Sequence, residues 1–165
     1  MNNLFIWIEA TRLSTWTRES TSVFAFPGIL AAHAIGMGLA AGVNAAFALH
    51  LLGVTPGMPR GAIRRFVPIM WLGFWLNAVS GVLLLIAYPT KALTNPVFYL
   101  KIFLIASAIG IFTRINRRFL SDVSGDSDSP GAGRMLGALS LFCWAGAITS
   151  GRLLAYTYTR LFATW

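Results

Sequence analysis

The sequence predicts an all-α fold, a four-helix transmembrane bundle with an N-terminal amphipathic interfacial helix. Three observations predict it. Hydrophobic residues make up 56% of the 165 residues and charged residues only 11%; a soluble domain carries about 25% charged residues and could not cover itself with so few. Four apolar stretches are each long enough to cross a bilayer, which takes about 20 residues. The basic residues, 13 against 5 acidic, gather mostly in turns between those stretches, as the positive-inside rule expects. That placement explains the net charge of +8 and argues against nucleic acid as a partner. The chain reads as a single integral membrane domain, residues 1–165.

Residues 1–22, MNNLFIWIEATRLSTWTRESTS, open the chain. Leu4, Phe5, Ile8, Leu13 and Trp16 fall near helical spacing, with Glu9, Arg12, Arg18 and Glu19 between them. Such a segment is too polar to span and lies in the headgroup plane or caps the bundle. It has no basic start, and its charges interrupt the apolar run, so it does not read as a cleaved leader.

The first span covers about 24–52 and carries no Asp, Glu, Lys or Arg. Pro27 and Gly28 suit a helix opening. Two rows of small residues recur at every fourth position, Gly28, Ala32, Gly36, Ala40 and Ala34, Gly38, Gly42, Ala46; such rows admit a second backbone or a flat cofactor. Residues 53–63, GVTPGMPRGAI, form a turn. The second span covers about 65–89, with Trp71 and Trp75 one turn apart. Its Asn77 and Ser80 should face the bundle rather than lipid.

Residues 90–95, TKALTN, make a short loop. The third span covers about 96–114, opened by the cap Asn95 and by Pro96 at the first position, with Lys101 about one turn inside. Residues 114–134 form the longest loop, basic at first, then acidic and rich in Ser and Gly. The fourth span covers about 135–160 and holds the single cysteine, Cys143, read as a buried structural thiol. Tyr156, Tyr158 and Trp165 at its end suit an interfacial aromatic belt.

Four crossings put both termini on one side. The clusters Arg60, Arg64, Arg65 and Arg114, Arg117, Arg118 flank spans in the first and third loops. The positive-inside rule places those loops in the cytoplasm and both termini in the periplasm of a bacterial inner membrane.

This topology gathers His33, Asn77, Ser80, Lys101 and Arg152 in the outer half of the layer. An ionisable residue at that depth costs about 2.5–3.5 kcal/mol and so has a partner or a function. One imidazole and two cations, with no acid in any span, ask for an anion from outside the protein. A b-type haem meets that demand. Its iron takes a neutral imidazole, its propionates pair with Lys101 and Arg152, and its face lies against Gly36, Met37 and Ala40, on the His33 side of the helix. A quinone or an anionic lipid headgroup is a rival occupant. The plainer alternative is that His33 hydrogen-bonds Asn77 or Ser80 across the bundle. His50 lies 17 residues beyond His33, roughly 25 Å along a helix, too far to share its iron. It is read as an interfacial polar residue before a second metal ligand. Met37, Met58, Met70 and Met135 are sixth ligands by type only.

The stretches TRESTSVFAFP, LAAHAIGMGLAAG, ALHLLGV, WLGFWLNAVSGVLLL and NPVFYLKIFLI, spread over most of residues 1–120, resemble an uncharacterised family of small four-helix bacterial membrane proteins. More distantly, the His33 helix and NPVFYLK are similar to the copper-resistance D family and to HemJ-type protoporphyrinogen oxidases. The latter resemblance implies a haem-binding role for His33 and importance for Lys101. The expected activity is electron transfer between a bound b-type haem and a quinone or partner protein. The alternatives are a structural or assembly subunit without its own cofactor, and a HemJ-like porphyrinogen oxidase. The expected partners are the lipid bilayer and either further copies of the chain or other membrane subunits.

Overall fold

The computed structural model describes residues 2–55, 62, 64–117 and 130–161. Among them are seven helices and no strand: α1 (Asn2–Glu9), α2 (Arg12–Glu19), α3 (Phe26–Leu51), α4 (Val67–Ala87), α5 (Pro89–Leu93), α6 (Pro96–Ile115) and α7 (Pro130–Leu161). Helices α3, α4, α6 and the Gly131–Leu154 part of α7 are each long and apolar enough to cross a membrane. The chain is a multi-pass membrane protein with the all-α, four-helix architecture read from its sequence. Arg60, Met58, Arg118, Trp165 and most of the loop after residue 117 lie outside the described residues, as does the Tyr158 side chain.

The helix boundaries follow local chemistry. Helices α3, α4, α5 and α6 each carry proline at the first or second position, where the missing N–H costs nothing and the fixed φ suits the helix. Asn95 caps α6 by accepting from the Val97 N–H at 3.0 Å. Helix α3 stops at Gly53, whose φ of +82° favours glycine. There the Gly53 N–H donates to the His50 carbonyl and the Val54 N–H to the Leu49 carbonyl, both at 3.0 Å. This double bond pattern closes the helix end.

Helix α3 is the organising element. It packs along α4 on one side and against α7 on the other, and α6 packs against α7. The α3–α4 contact is a meeting of backbones at Gly36 and Gly73. A Cβ built on Gly36 would lie 2.6 Å from the Asn77 nitrogen and 2.8 Å from the Gly73 carbonyl oxygen. Gly137 of α7 is similarly tight against the Ala48 carbonyl, at 2.9 Å. At the end of the bundle formed by the close of α3, the start of α4 and the close of α6, Phe47, Met70, Phe112 and Ile115 make a closed core. Phe47 and Trp71 both stand edge-on to Phe112. Ala40, Ala41, Ala108, Cys143 and Trp144 fill the middle. Among the described residues no comparable cluster fills the opposite end.

Three expectations change. The N-terminal segment is two helices, broken where Thr11 caps α2 by accepting from the Ser14 N–H at 3.4 Å. Its buried face is Ser14 and Thr17, whereas Leu13 and Trp16 point outward, as an interfacial helix requires. It is also tied to the bundle. The Arg18 guanidinium donates to the Glu9 carbonyl at 2.8 Å and to the Ala87 carbonyl at 3.4 Å, and Thr90 Oγ1 donates to Glu9 Oε1 at 2.8 Å. The loop after the second span contains a helix, α5, set off from α4 by Pro89, which cannot continue the hydrogen-bond ladder. Finally, the two small-residue rows of α3 have different fates. Gly36 and Ala40 are buried, while Ala34, Gly38, Gly42 and Ala46 are exposed.

Candidate cofactor site

His33 sits seven residues past the start of α3, roughly 10 Å into the span. Its ring is received by α4. Gly81 makes the room, since a Cβ there would lie 3.2 Å from His33 Cε1. The alternative read from the sequence is therefore realised on one side of the ring: His33 Nδ1 lies 3.1 Å from the Asn77 backbone carbonyl and 3.1 Å from Ser80 Oγ. A carbonyl only accepts, so Nδ1 carries the proton and donates. Ser80 sends its own proton to the Leu76 carbonyl at 2.6 Å, so its oxygen also presents a lone pair to Nδ1. In return, Asn77 Nδ2 donates to the His33 carbonyl at 2.8 Å.

These partners decide the tautomer. With the proton on Nδ1, the Nε2 atom is left with a lone pair. It faces Lys101, whose Nζ lies 3.5 Å away, long for a hydrogen bond. Lys101 is placed by the second turn of α6, and Gly151 of α7 lies against its far end: a Cβ there would sit in ordinary contact, 3.6 Å from Cε and Nζ. His33 is turned the wrong way to act as a base on Ser80, because its proton already points at that hydroxyl.

Beside this pair is a cavity of about 400 Å³, within the usual range for small-molecule sites. It lies where α4 and α6 stand apart. His33, Lys101 and Lys91 supply its polar groups, and Leu30, Leu84, Phe98 and Leu154 belong to its apolar wall. None of its lining residues is acidic.

The remaining site candidates divide. Asn77 does not line the cavity but holds the histidine. Gly36 and Ala40 share the His33 face of α3 as expected, yet α4 covers that face, so they serve helix packing and not a cofactor. Met37 is half-buried and outside the lining, and Arg152 is exposed rather than turned into the cavity. Met70 belongs to the core at the far end, and Met135 is exposed at the start of α7. His50 closes the end of α3, its Nδ1 3.2 Å from the Thr55 carbonyl. Lys91, Gly81 and Gly151 escape sequence reasoning. Lys91 lies in what reads as a loop, and nothing in a glycine's spacing says which side chain it makes room for.

The chain matches no family profile, no curated protein and no solved structure. Its chemistry must be read from the site itself. Among the described residues no three His, Cys, Asp or Glu side chains converge as a metal cluster would require. The donor set instead suits a prosthetic group that brings its own equatorial ligands. It offers one neutral imidazole nitrogen fixed by hydrogen bonds on its far side, the usual arrangement behind a metal-ligating histidine. It also offers two cations for acidic substituents and an apolar wall. A haem fits this set.

Proposed function

We propose that this protein binds a b-type haem at the cavity between α4 and α6 and exchanges electrons with a quinone or a partner protein. One observation carries the reading: the His33 lone pair, fixed by the bonds that Nδ1 donates to Asn77 and Ser80, faces Lys101 at a cation-lined apolar cavity that contributes no acid of its own. Bound haem iron supplies reversible one-electron transfer. The chain's own part is to hold and orient. His33 presents Nε2 to the iron, and Asn77 and Ser80 fix the ring. Lys101 and Lys91 offer charged donors to the propionates, and the leucine and phenylalanine walls exclude water. The resemblance to HemJ-type proteins supports the same pair, His33 and Lys101, and extends the proposal to porphyrinogen oxidation. A quinone is the rival occupant, its oxygen accepting from Lys101.

The test is an absorption spectrum of the detergent-purified protein, oxidised and reduced. A Soret band with reduced b-type bands is expected, and it should vanish in His33→Ala. Its absence after haem is supplied during expression would overturn the reading.

A second reading, a structural or assembly subunit, is favoured by the exposed row Ala34, Gly38, Gly42 and Ala46, which α3 turns away from its own bundle. Small residues in that pattern suit a partner helix or another copy of the chain. This reading requires stable co-purification with another chain or a homo-oligomer, lost when Gly38 and Gly42 are both changed to leucine and unaffected by His33→Ala. For location, we propose a bacterial inner membrane with both termini periplasmic. Reporter fusions active only in the periplasm should work at either end and fail within residues 53–63.

A further inference from the structure

We propose that Lys101 makes this site select for ligands carrying a free carboxylate, by holding the His33 lone pair until an acid draws the ammonium away. This rests on the haem reading and adds a rule about which macrocycles are admitted. Lys101 Nζ stands 3.5 Å from His33 Nε2. The Nδ1 side of the ring is already taken by Asn77 and Ser80, so Nε2 is the nitrogen left for an incoming group. A metal–nitrogen bond is about 2 Å long, and an ammonium this close competes for the same lone pair.

The contact is long and therefore weak. A carboxylate offers the ammonium a shorter, charge-assisted bond, which the imidazole cannot match. The space to move is present. Gly151 presents no side chain to the lysine end, and the cavity of about 400 Å³ opens beside it. Lys91 lines the same cavity from α5, so a second acid on the ligand finds a second cation. The ligand class is thus an apolar macrocycle with free carboxylates, as against the same macrocycle esterified. An ester can coordinate through its iron but has no charge with which to displace Lys101.

The experiment titrates the haem-free full-length protein in detergent with haem and, separately, with haem dimethyl ester, following the Soret shift of the ligated form. Wild type is expected to bind haem about ten- to a hundredfold more tightly than the ester, the range of one or two charged hydrogen bonds. Lys101→Met keeps the apolar stem and removes the ammonium. It should ligate both compounds through His33 with most of the preference for the acid gone, only the share supplied by Lys91 remaining, and His33→Ala should bind neither with that spectrum. Equal binding of haem and ester by wild type overturns the inference while leaving the haem reading intact. A preference for the acid that is undiminished in Lys101→Met also overturns it, and assigns selection to Lys91. A protein that ligates neither compound removes the haem reading and this inference together. Should Lys101→Met fail to fold, Lys91→Met takes its place: it should keep most of the preference for the acid, and loss of the preference there overturns the inference.

Discussion

His33 and Asn77 hold each other twice. The Asn77 side-chain amide donates to the His33 carbonyl at 2.8 Å, and the His33 ring donates to the Asn77 carbonyl at 3.1 Å. The first bond joins α3 to α4; the second sets the tautomer of the imidazole. Asn77→Leu should therefore do two things. It should cost about 0.5–1.7 kcal/mol of stability, the range of hydrogen bonds between helices in membranes, and it should loosen the backbone that orients the ring. Unfolding in detergent measures the first effect. A broadened or shifted Soret band of the haem-loaded protein reports the second.

The two small-residue rows of α3 predict opposite results for the same substitution. Gly36→Ala would set a methyl group 2.6 Å from the Asn77 nitrogen and 2.8 Å from the Gly73 oxygen. Both are backbone atoms that no rotamer change can clear. We expect a loss of about 1–3 kcal/mol or failure to fold. Gly38→Ala meets nothing within 4 Å and should be neutral or add up to about 1 kcal/mol through helix propensity. Thermal unfolding of the two variants side by side makes the comparison.

Gly81→Val tests the seat of the histidine. Even a Cβ at this position would lie 3.2 Å from His33 Cε1, and the branched side chain of valine crowds the ring further. Haem affinity should fall about tenfold or more, the equivalent of a moderate overpacking cost. The fold should persist, because the cavity beside the ring can take up the displacement. Haem titration together with a circular dichroism spectrum distinguishes loss of binding from loss of structure.

Thr90→Val removes the hydroxyl that donates to Glu9 Oε1 at 2.8 Å while keeping the side-chain shape. The expected cost is about 0.5–1.5 kcal/mol, confined to the attachment of α1. Limited proteolysis should release the first residues faster than in wild type and leave the four long helices intact.

Lipid exposure separates two tryptophans. Trp75 is 61% exposed on α4, and Trp144 is 6% exposed inside the bundle. In variants keeping one tryptophan each, brominated lipids should quench Trp75 strongly and Trp144 weakly. Equal quenching of both would contradict the packing of α7 against α3.

Much of the architecture was legible in the chain itself, because bilayer thickness and the need to satisfy every backbone group leave an apolar run of about 20 residues little choice but a helix. Pro27, Asn95 and Pro96 marked two of the starts, and the turn over 53–63 marked a stop. The pairing of His33 with Asn77 and Ser80 was also within reach, since polar groups at similar depth seek one another in a medium without water. What the sequence left open was which face of α3 is covered and where the bundle gapes. Gly36 and Gly38 are the same residue two positions apart, and only the approach of α4 distinguishes the buried one from the exposed one. Lys91 reads as a loop residue, and only the short helix opened by Pro89 brings it to the cavity. Arg152, expected beside Lys101, is rotated outward. Depth along a helix follows from counting residues, but orientation about the axis depends on which neighbours pack closest, and that is a property of the assembled bundle.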